Sequence, residues 1–275
     1  MSLKFYRDIL GLKVIPSMVD SPNIVWTRTN DGTMVHLIEP ADGENLVDPH
    51  TAFEVEDFDE TVKILRSSGY PELSDTGERH DGQKCIFVND SDGNRLEFTT
   101  ASGLKESKRV VDALGYTSES GKNFVSNSNT VIDILTVNHV GIPINDRFEC
   151  MRMYRDLLNV KIIPHQIDGN TLVWTEMVDG SMIHLIAPPK SIGPRGDGRQ
   201  HVAFEVDDIE RAAEALVNAD VEIVEGIGTR HDGQQFFFVY DPDGNRLEIA
   251  TRGNHSNTRR MVDENGYTSE NSILL

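Results

Sequence analysis

Between residues 137 and 251, apolar and polar positions alternate in short bursts, interrupted by two stretches of helical spacing. Val137–Ile144 alternates with a period of two, as a half-buried strand does. Phe148–Leu158 carries Phe148, Met151, Tyr154, Leu157 and Leu158 on one helical stripe. Strands are expected over Lys161–Gln166, Leu172–Met177 and Ser181–Ala187, divided by the turn residues Asp168-Gly169-Asn170 and Asp179-Gly180. The pattern then restarts. His201–Val206 reads as a strand. Asp208–Asn218 reads as a helix, capped by Asp208, with Ile209, Ala212, Ala213, Leu216 and Val217 on its buried side. Val221–Val224, Gln235–Tyr240 and Arg246–Thr251 complete the unit, the last two joined by Asp241-Pro242-Asp243-Gly244-Asn245.

The first half repeats this text. Tyr6-Arg7-Asp8, Trp26-Thr27 and Met34–Ile38 return as Tyr154-Arg155-Asp156, Trp174-Thr175 and Met182–Ile186, each 148 residues later. Beyond these the offset is 151 residues, pairing His50 with His201, His80 with His231 and Glu97 with Glu248. The loop Ala187–Gln200 absorbs the difference. Repetition of this kind marks a duplicated structural unit. Val137–Ile144 has no partner in the first half, which is therefore expected to lack its opening strand. The polar, unpatterned stretch 121–132 reads as a linker between a first domain, 1–120, and a second, 133–275. The fold class expected is α+β, each domain holding two units of strand, helix and three strands.

Strand alternation sorts the histidines. Val202, Phe204 and Val206 share one face, which places His201, Ala203 and Glu205 on the other. Glu248 opposes Leu247 and Ile249, His139 sits with Val137 and Gly141, and His184 opposes Ile183 and Leu185. Four metal-competent side chains thus leave the helix-packing face at matching positions, and a curled sheet would bring them together. A single strand histidine is ordinarily a hydrogen-bonded polar residue; three at matched positions beside a glutamate outweigh that reading and suggest a metal site in the second half. The first half keeps His36, His50, His80 and Glu97 without an opening-strand ligand and reads as a degenerate site. Arg230 and Gln234 read as solvated loop residues, Glu205 as an ordinary strand residue, and Trp26 and Trp174 as packing.

Composition narrows the partners. The 275 residues carry a formal net charge of −19, which disfavours nucleic acid and anionic membrane surfaces. The longest apolar runs are strand-sized, and the first residues lack an apolar signal core, so a cytoplasmic location is expected. Cys85 and Cys150 offer neither a disulfide framework nor zinc spacing.

Two βαβββ units per domain, with His139 and His201 on the first strand of each and Glu248 on the last, resemble the vicinal oxygen chelate superfamily. That superfamily includes glyoxalase I, fosfomycin- and bleomycin-resistance proteins and type I extradiol dioxygenases. The turn running from Asp241 to Glu248 is a marker of that fold and a poor marker of reaction. The resemblance implies a curled mixed sheet around a metal pocket, with His139, His201 and Glu248 as ligands. It implies a divalent ion, Fe(II) or Mn(II) ahead of Ni(II), Zn(II) or Co(II), that a substrate meets through two oxygens. Glyoxalase I has a glutamate where this chain has His184. Extradiol dioxygenases have a histidine there, a second one where His231 stands, and a tyrosine where this chain has Phe238.

The function expected is therefore a metal-dependent enzyme acting on a small oxygenated substrate, with His184 and His231 moving protons. Extradiol-dioxygenase-like chemistry is favoured, ahead of a glyoxalase-like lyase or isomerase in which His184 abstracts a proton alpha to a carbonyl. A third reading is non-catalytic sequestration of a small molecule, as in bleomycin resistance. A homodimer formed through the edge left by the missing strand is a further option.

Overall fold

The computed structural model describes residues 2–15, 19, 24–39, 49–71, 74–79, 82–101, 131–145, 150–163, 172–177, 179–186, 200–230 and 232–253. His80, His165, His231 and His255, the loop around 187–199 and most of the linker lie outside them. Contacts divide the chain into two units. One comprises residues 13–28 and 34–126, the other 127–275 together with 1–12 and 29–33.

In the larger unit, α1 (Ser2–Lys4) runs into a wide π turn over Phe5–Ile9. Its counterpart in the repeat, α2 (Arg152–Leu157), has the same wide winding. Leu10 N–H reaches Phe5 O at 3.0 Å, and Leu158 N–H reaches Met153 O at 2.9 Å. The duplicated sequence therefore repeats even this uncommon helix form.

The sheet of this unit is built from β1 (Thr136–Pro143), β2 (Lys161–Ile162), β3 (Leu172–Glu176), β4 (Met182–Ile186), β5 (His201–Glu205), β6 (Ile223–Thr229), β7 (Gln235–Tyr240) and β8 (Arg246–Ala250). Their order is β6-β7-β8-β5-β1-β4-β3-β2. The sheet is mixed and open, and β1 is its seam: it runs parallel to β4 and antiparallel to β5. Strand β6 is longer than its apolar run suggested and begins later, at Ile223.

Helix α3 (Ile209–Asn218) starts where the sequence indicated, with the Asp208 side chain accepting from Arg211 N–H at 2.9 Å. Ile209, Ala212 and Leu216 are buried, but Val217 is 56% exposed and leaves the expected stripe. The last hairpin is organised by Asp241. Its Oδ1 accepts from Asp243 N–H at 2.9 Å and Asn245 N–H at 2.8 Å, and its Oδ2 from Asn245 Nδ2 at 2.7 Å. Gly244 takes φ 84°, a conformation other residues seldom adopt. Tyr6 also donates to Asp241 Oδ2, at 2.8 Å.

The smaller unit contains the same strands without the seam. Lys13–Ile15, Ile24–Arg28 and Met34–Ile38 form one sheet; Thr51–Glu54, Gly77–Glu78, Lys84–Asn89 and Arg95–Thr99 form a second. These correspond to the two flanks of the larger sheet on either side of β1. Among the described residues of the smaller unit no strand joins these two sheets. In the larger unit it is β1 that joins the corresponding flanks.

No helix among the described residues is long and apolar enough to cross a membrane.

Candidate metal centre

Register builds the site. His139 on β1, Ala203 on β5 and Glu248 on β8 stand in one row across three adjacent strands. His201 lies two residues from Ala203 along β5 and so shares its face. Ala203 is fully buried between its larger neighbours. Its methyl group leaves the room in which residues two strands apart can meet.

They do meet. His139 Nε2 lies 3.2 Å from His201 Nε2, and Glu248 Oε2 lies 3.4 Å from each. His139, His201 and Glu248 form a three-residue cluster with ligand atoms in mutual reach. All three side chains are buried. Donor atoms bonded to one first-row ion at about 2.1 Å sit at such spacings.

A bulge in β1 fixes the polarity of His139. Ala203 pairs with His139 and Phe204 with Val137, so Asn138 has no opposite number on β5. A bulge re-aims side chains. Here it puts Asn138 beside His139, although strict alternation would set them on opposite faces. Asn138 Nδ2 donates to Glu205 Oε2 at 2.8 Å, which leaves its oxygen as the acceptor for His139 Nδ1 at 3.0 Å. The Nδ1 proton placed there leaves Nε2 as a bare lone pair.

Burial drops His139 to about 4, against the pull of Glu248 and with Arg230 and His201 adding to the fall. Burial pushes the Glu248 carboxyl upward, but His139, Arg230 and His201 together hold it well below the usual carboxylate range. A neutral imidazole and a carboxylate therefore converge with the Nε2 of a second imidazole. Three acceptors face one point with at most one proton to share, and a cation suits that arrangement.

His184 is close but outside the triangle. Its ring centroid lies 3.8 Å from that of His139 and 3.8 Å from that of Trp174, so it is held between them. Its Nε2 is buried with no hydrogen-bond partner among the described residues. Burial, then His139 and Arg230, hold its pKa well below the ordinary histidine value, so the ring is neutral at pH 7. Phe238 packs edge-on to His201, with centroids 5.7 Å apart.

Two residues read as solvated are not. Arg230 and Gln234 are buried, at 8% and 0% exposure. Arg230 forks onto Glu248, Nη1 to Oε1 at 2.8 Å and Nη2 to Oε2 at 3.1 Å. Gln234 donates to Thr251 O at 2.8 Å and to Asn138 Oδ1 at 3.3 Å, and accepts from Arg230. Glu205 likewise belongs to the site's support through Asn138. The repeat of Arg-His-Asp-Gly-Gln before each last hairpin was the available signal. Turn residues are usually wet, and this turn folds inward because Glu248 needs a counter-charge.

The smaller unit keeps part of this. His50 Nε2 lies 3.2 Å from Glu97 Oε2, and Arg79 Nη2 2.7 Å from Glu97 Oε1. His36 packs against Trp26 with tilted rings, centroids 3.7 Å apart. Among the described residues no third ligand joins them.

A sequence profile described as the glyoxalase/bleomycin resistance protein/dioxygenase superfamily matches residues 1–98 and 136–249. The chain belongs to this superfamily. Solved members share its architecture at low identity. The 2,3-dioxygenase LapB from Pseudomonas sp. KL28 aligns with a TM-score of 0.62 at 15% identity, over 92% of this chain and 88% of that one. The Mn(II)-bound glyoxalase from Novosphingobium aromaticivorans gives 0.63 at 16%, over 91% and 77%. Homoprotocatechuate 2,3-dioxygenase from Arthrobacter globiformis gives 0.63 at 18%, over 92% and 76%. At these identities the likeness is one of fold, and it spans two enzyme chemistries.

Proposed function

We propose that this superfamily member is a divalent-metal-dependent enzyme whose active site lies in residues 133–275, and that it acts on a small substrate presenting two adjacent oxygens. The observation that carries the reading is the triangle of His139 Nε2, His201 Nε2 and Glu248 Oε2, with sides of 3.2, 3.4 and 3.4 Å. Two imidazoles and one carboxylate grouped on one side of an ion leave its other positions free, the donor set of non-haem iron oxygenases. The ion, Fe(II) or Mn(II) by preference, would supply Lewis acidity that favours the ionised form of a diol or enol.

Extradiol-dioxygenase-like chemistry is the reading favoured. The chain's own residues have defined tasks in it. His184, neutral and with an unpartnered Nε2, receives the proton that a substrate hydroxyl gives up. Trp174 and His139 clamp its ring, so the acceptor does not wander. Phe238 gives an apolar wall beside His201 that excludes water. His231, the next residue after Arg230 in the sequence, is assigned the second proton transfer. A glyoxalase-like isomerisation is the second reading, favoured by the same neutral base at His184, which would then remove a carbon-bound proton. The substrate is the only partner proposed, since the acidic surface repels polyanions.

The test is metal content of protein purified without oxygen, beside a His201→Ala variant. One ion per chain, lost in the variant, supports the centre. Iron with oxygen uptake on catechols supports ring cleavage; nickel or zinc with turnover of hemithioacetals supports the isomerase. Absence of metal in both proteins after reconstitution sinks the enzyme reading and leaves small-molecule sequestration.

A further inference from the structure

Glu248 is the ligand with the most unusual surroundings. Both its oxygens accept from Arg230, and Arg230 is itself pinned. Its guanidinium carbon lies 4.3 Å from the Phe236 ring centroid and 5.2 Å from that of Trp174. Nη1 also donates to Gln234 Oε1. From Gln234 Nε2 the path continues to Asn138 Oδ1 at 3.3 Å and on to His139 Nδ1 at 3.0 Å. Glu248 and His139 are thus joined behind the site through Arg230, Gln234 and Asn138.

We propose that Arg230 is a positioning residue of the metal centre, restricting Glu248 to one ligand oxygen and linking its orientation to that of His139. This rests on the metal reading above. A free carboxylate can chelate an ion through both oxygens. Arg230 prevents it here, because its planar fork already donates to both oxygens on the side a chelated ion would use and aligns the carboxylate plane with the guanidinium. Only Oε2 then faces the two imidazoles. The gain is an open position: a six-coordinate ion with three one-atom ligands keeps three places, enough for two substrate oxygens and one further small molecule. A chelating glutamate would close one of them. Lysine could neutralise Glu248 but could not hold two oxygens in a plane.

The smaller unit provides an internal control. Arg79 pairs with Glu97 at 2.7 Å and also donates to Gln83, and Gln83 donates to Thr100 O at 2.9 Å. The Arg-Gln-Glu arrangement is therefore duplicated, while its connection through Asn138 to a histidine ligand is found only in the larger unit among the described residues. A purely structural role would make Arg79 and Arg230 equivalent.

The experiment titrates Co(II) into metal-free full-length protein, following visible absorption and affinity, for the wild type, Arg230→Lys and Arg79→Lys. Lysine keeps a positive charge beside each buried glutamate, so both variants are expected to fold, checked by thermal melting. Arg230→Lys is expected to bind Co(II) about 10- to 100-fold more weakly. Its visible bands should shift and weaken as the second carboxylate oxygen joins the ion. Arg79→Lys should reproduce the wild-type titration and spectrum. Wild-type affinity and spectrum in Arg230→Lys overturn the proposal, as do equal changes in both variants. Wild-type protein that takes up no Co(II) overturns the metal reading first, and this role with it.

Discussion

Asn138 is the residue of β1 that β5 leaves unopposed, and its amide oxygen accepts the Nδ1 hydrogen of His139 at 3.0 Å. One extra residue in a strand thereby decides which nitrogen of a candidate ligand faces the site. Asn138→Ala removes the acceptor and frees Glu205 and Gln234 from their shared partner. Metal affinity measured by competition with a chelating dye is expected to fall about 10- to 100-fold. The stoichiometry should stay at one ion, since all three ligands remain. Unchanged affinity would show that the bulge has no part in ligand orientation.

Ala203 occupies the row between His139 and Glu248. A leucine there would fill the space over which the two side chains close. Ala203→Leu is expected to abolish metal uptake while costing about 1–3 kcal/mol of stability from overpacking. Elemental analysis with a denaturant melt separates the two effects. A folded Ala203→Leu protein that still carries one ion contradicts this account of the site.

His184→Phe keeps a ring between Trp174 and His139 but removes the unpartnered Nε2. The expected result is retained metal and a turnover number lower by about 10²- to 10⁴-fold, the range for loss of a general base. Steady-state kinetics on whichever substrate the metal assay selects will measure it. Full activity in this variant would remove His184 from the chemistry.

Tyr6 and Asp241 tie the π turn over Phe5–Ile9 to the last hairpin. Burial, and then the Asp241 charge, raise the Tyr6 pKa well above its ordinary value. The folded chain thus keeps a proton that the unfolded chain releases above about pH 10. This contribution is complete below pH 10 and is lost as pH rises beyond it. Tyr6→Phe should cost about 1 kcal/mol at pH 8 for the hydrogen bond. The variant should also lose stability less steeply between pH 10 and 11, read from urea midpoints.

His36 gives the opposite limb. Burial, aided by the Arg79 cation, lowers it to about 3. Below about pH 6.5 the unfolded chain binds a proton that the folded chain refuses, so stability declines from there toward pH 3. His36→Leu deletes this term. Its urea midpoint should fall less between pH 7 and pH 5 than that of the wild type, and an equally steep fall in both would refute the assignment.

Much of the architecture was legible in the residues. The duplication, the period-two runs, the Asp208 cap and the Asp241 turn are local, and local rules decide them. The cluster of His139, His201 and Glu248 was legible in part, for a related reason. A strand offers only two faces, so equivalent residues in repeated strands must share one, and the superfamily resemblance said which of them meet. Arg230 and Gln234 were misread, because turn residues are exposed unless something buried needs them, and that need arises only once Glu248 is placed.

By itself, then, the sequence determined the elements, their duplication and the strand face that His139, His201 and Glu248 share, since each follows from short-range periodicity. The tertiary structure alone decided the bulge at Asn138, the open row over Ala203 and the Arg230–Gln234–Asn138 path behind the site. These depend on register between strands far apart in the chain, where a shift of one residue turns a side chain to the other face.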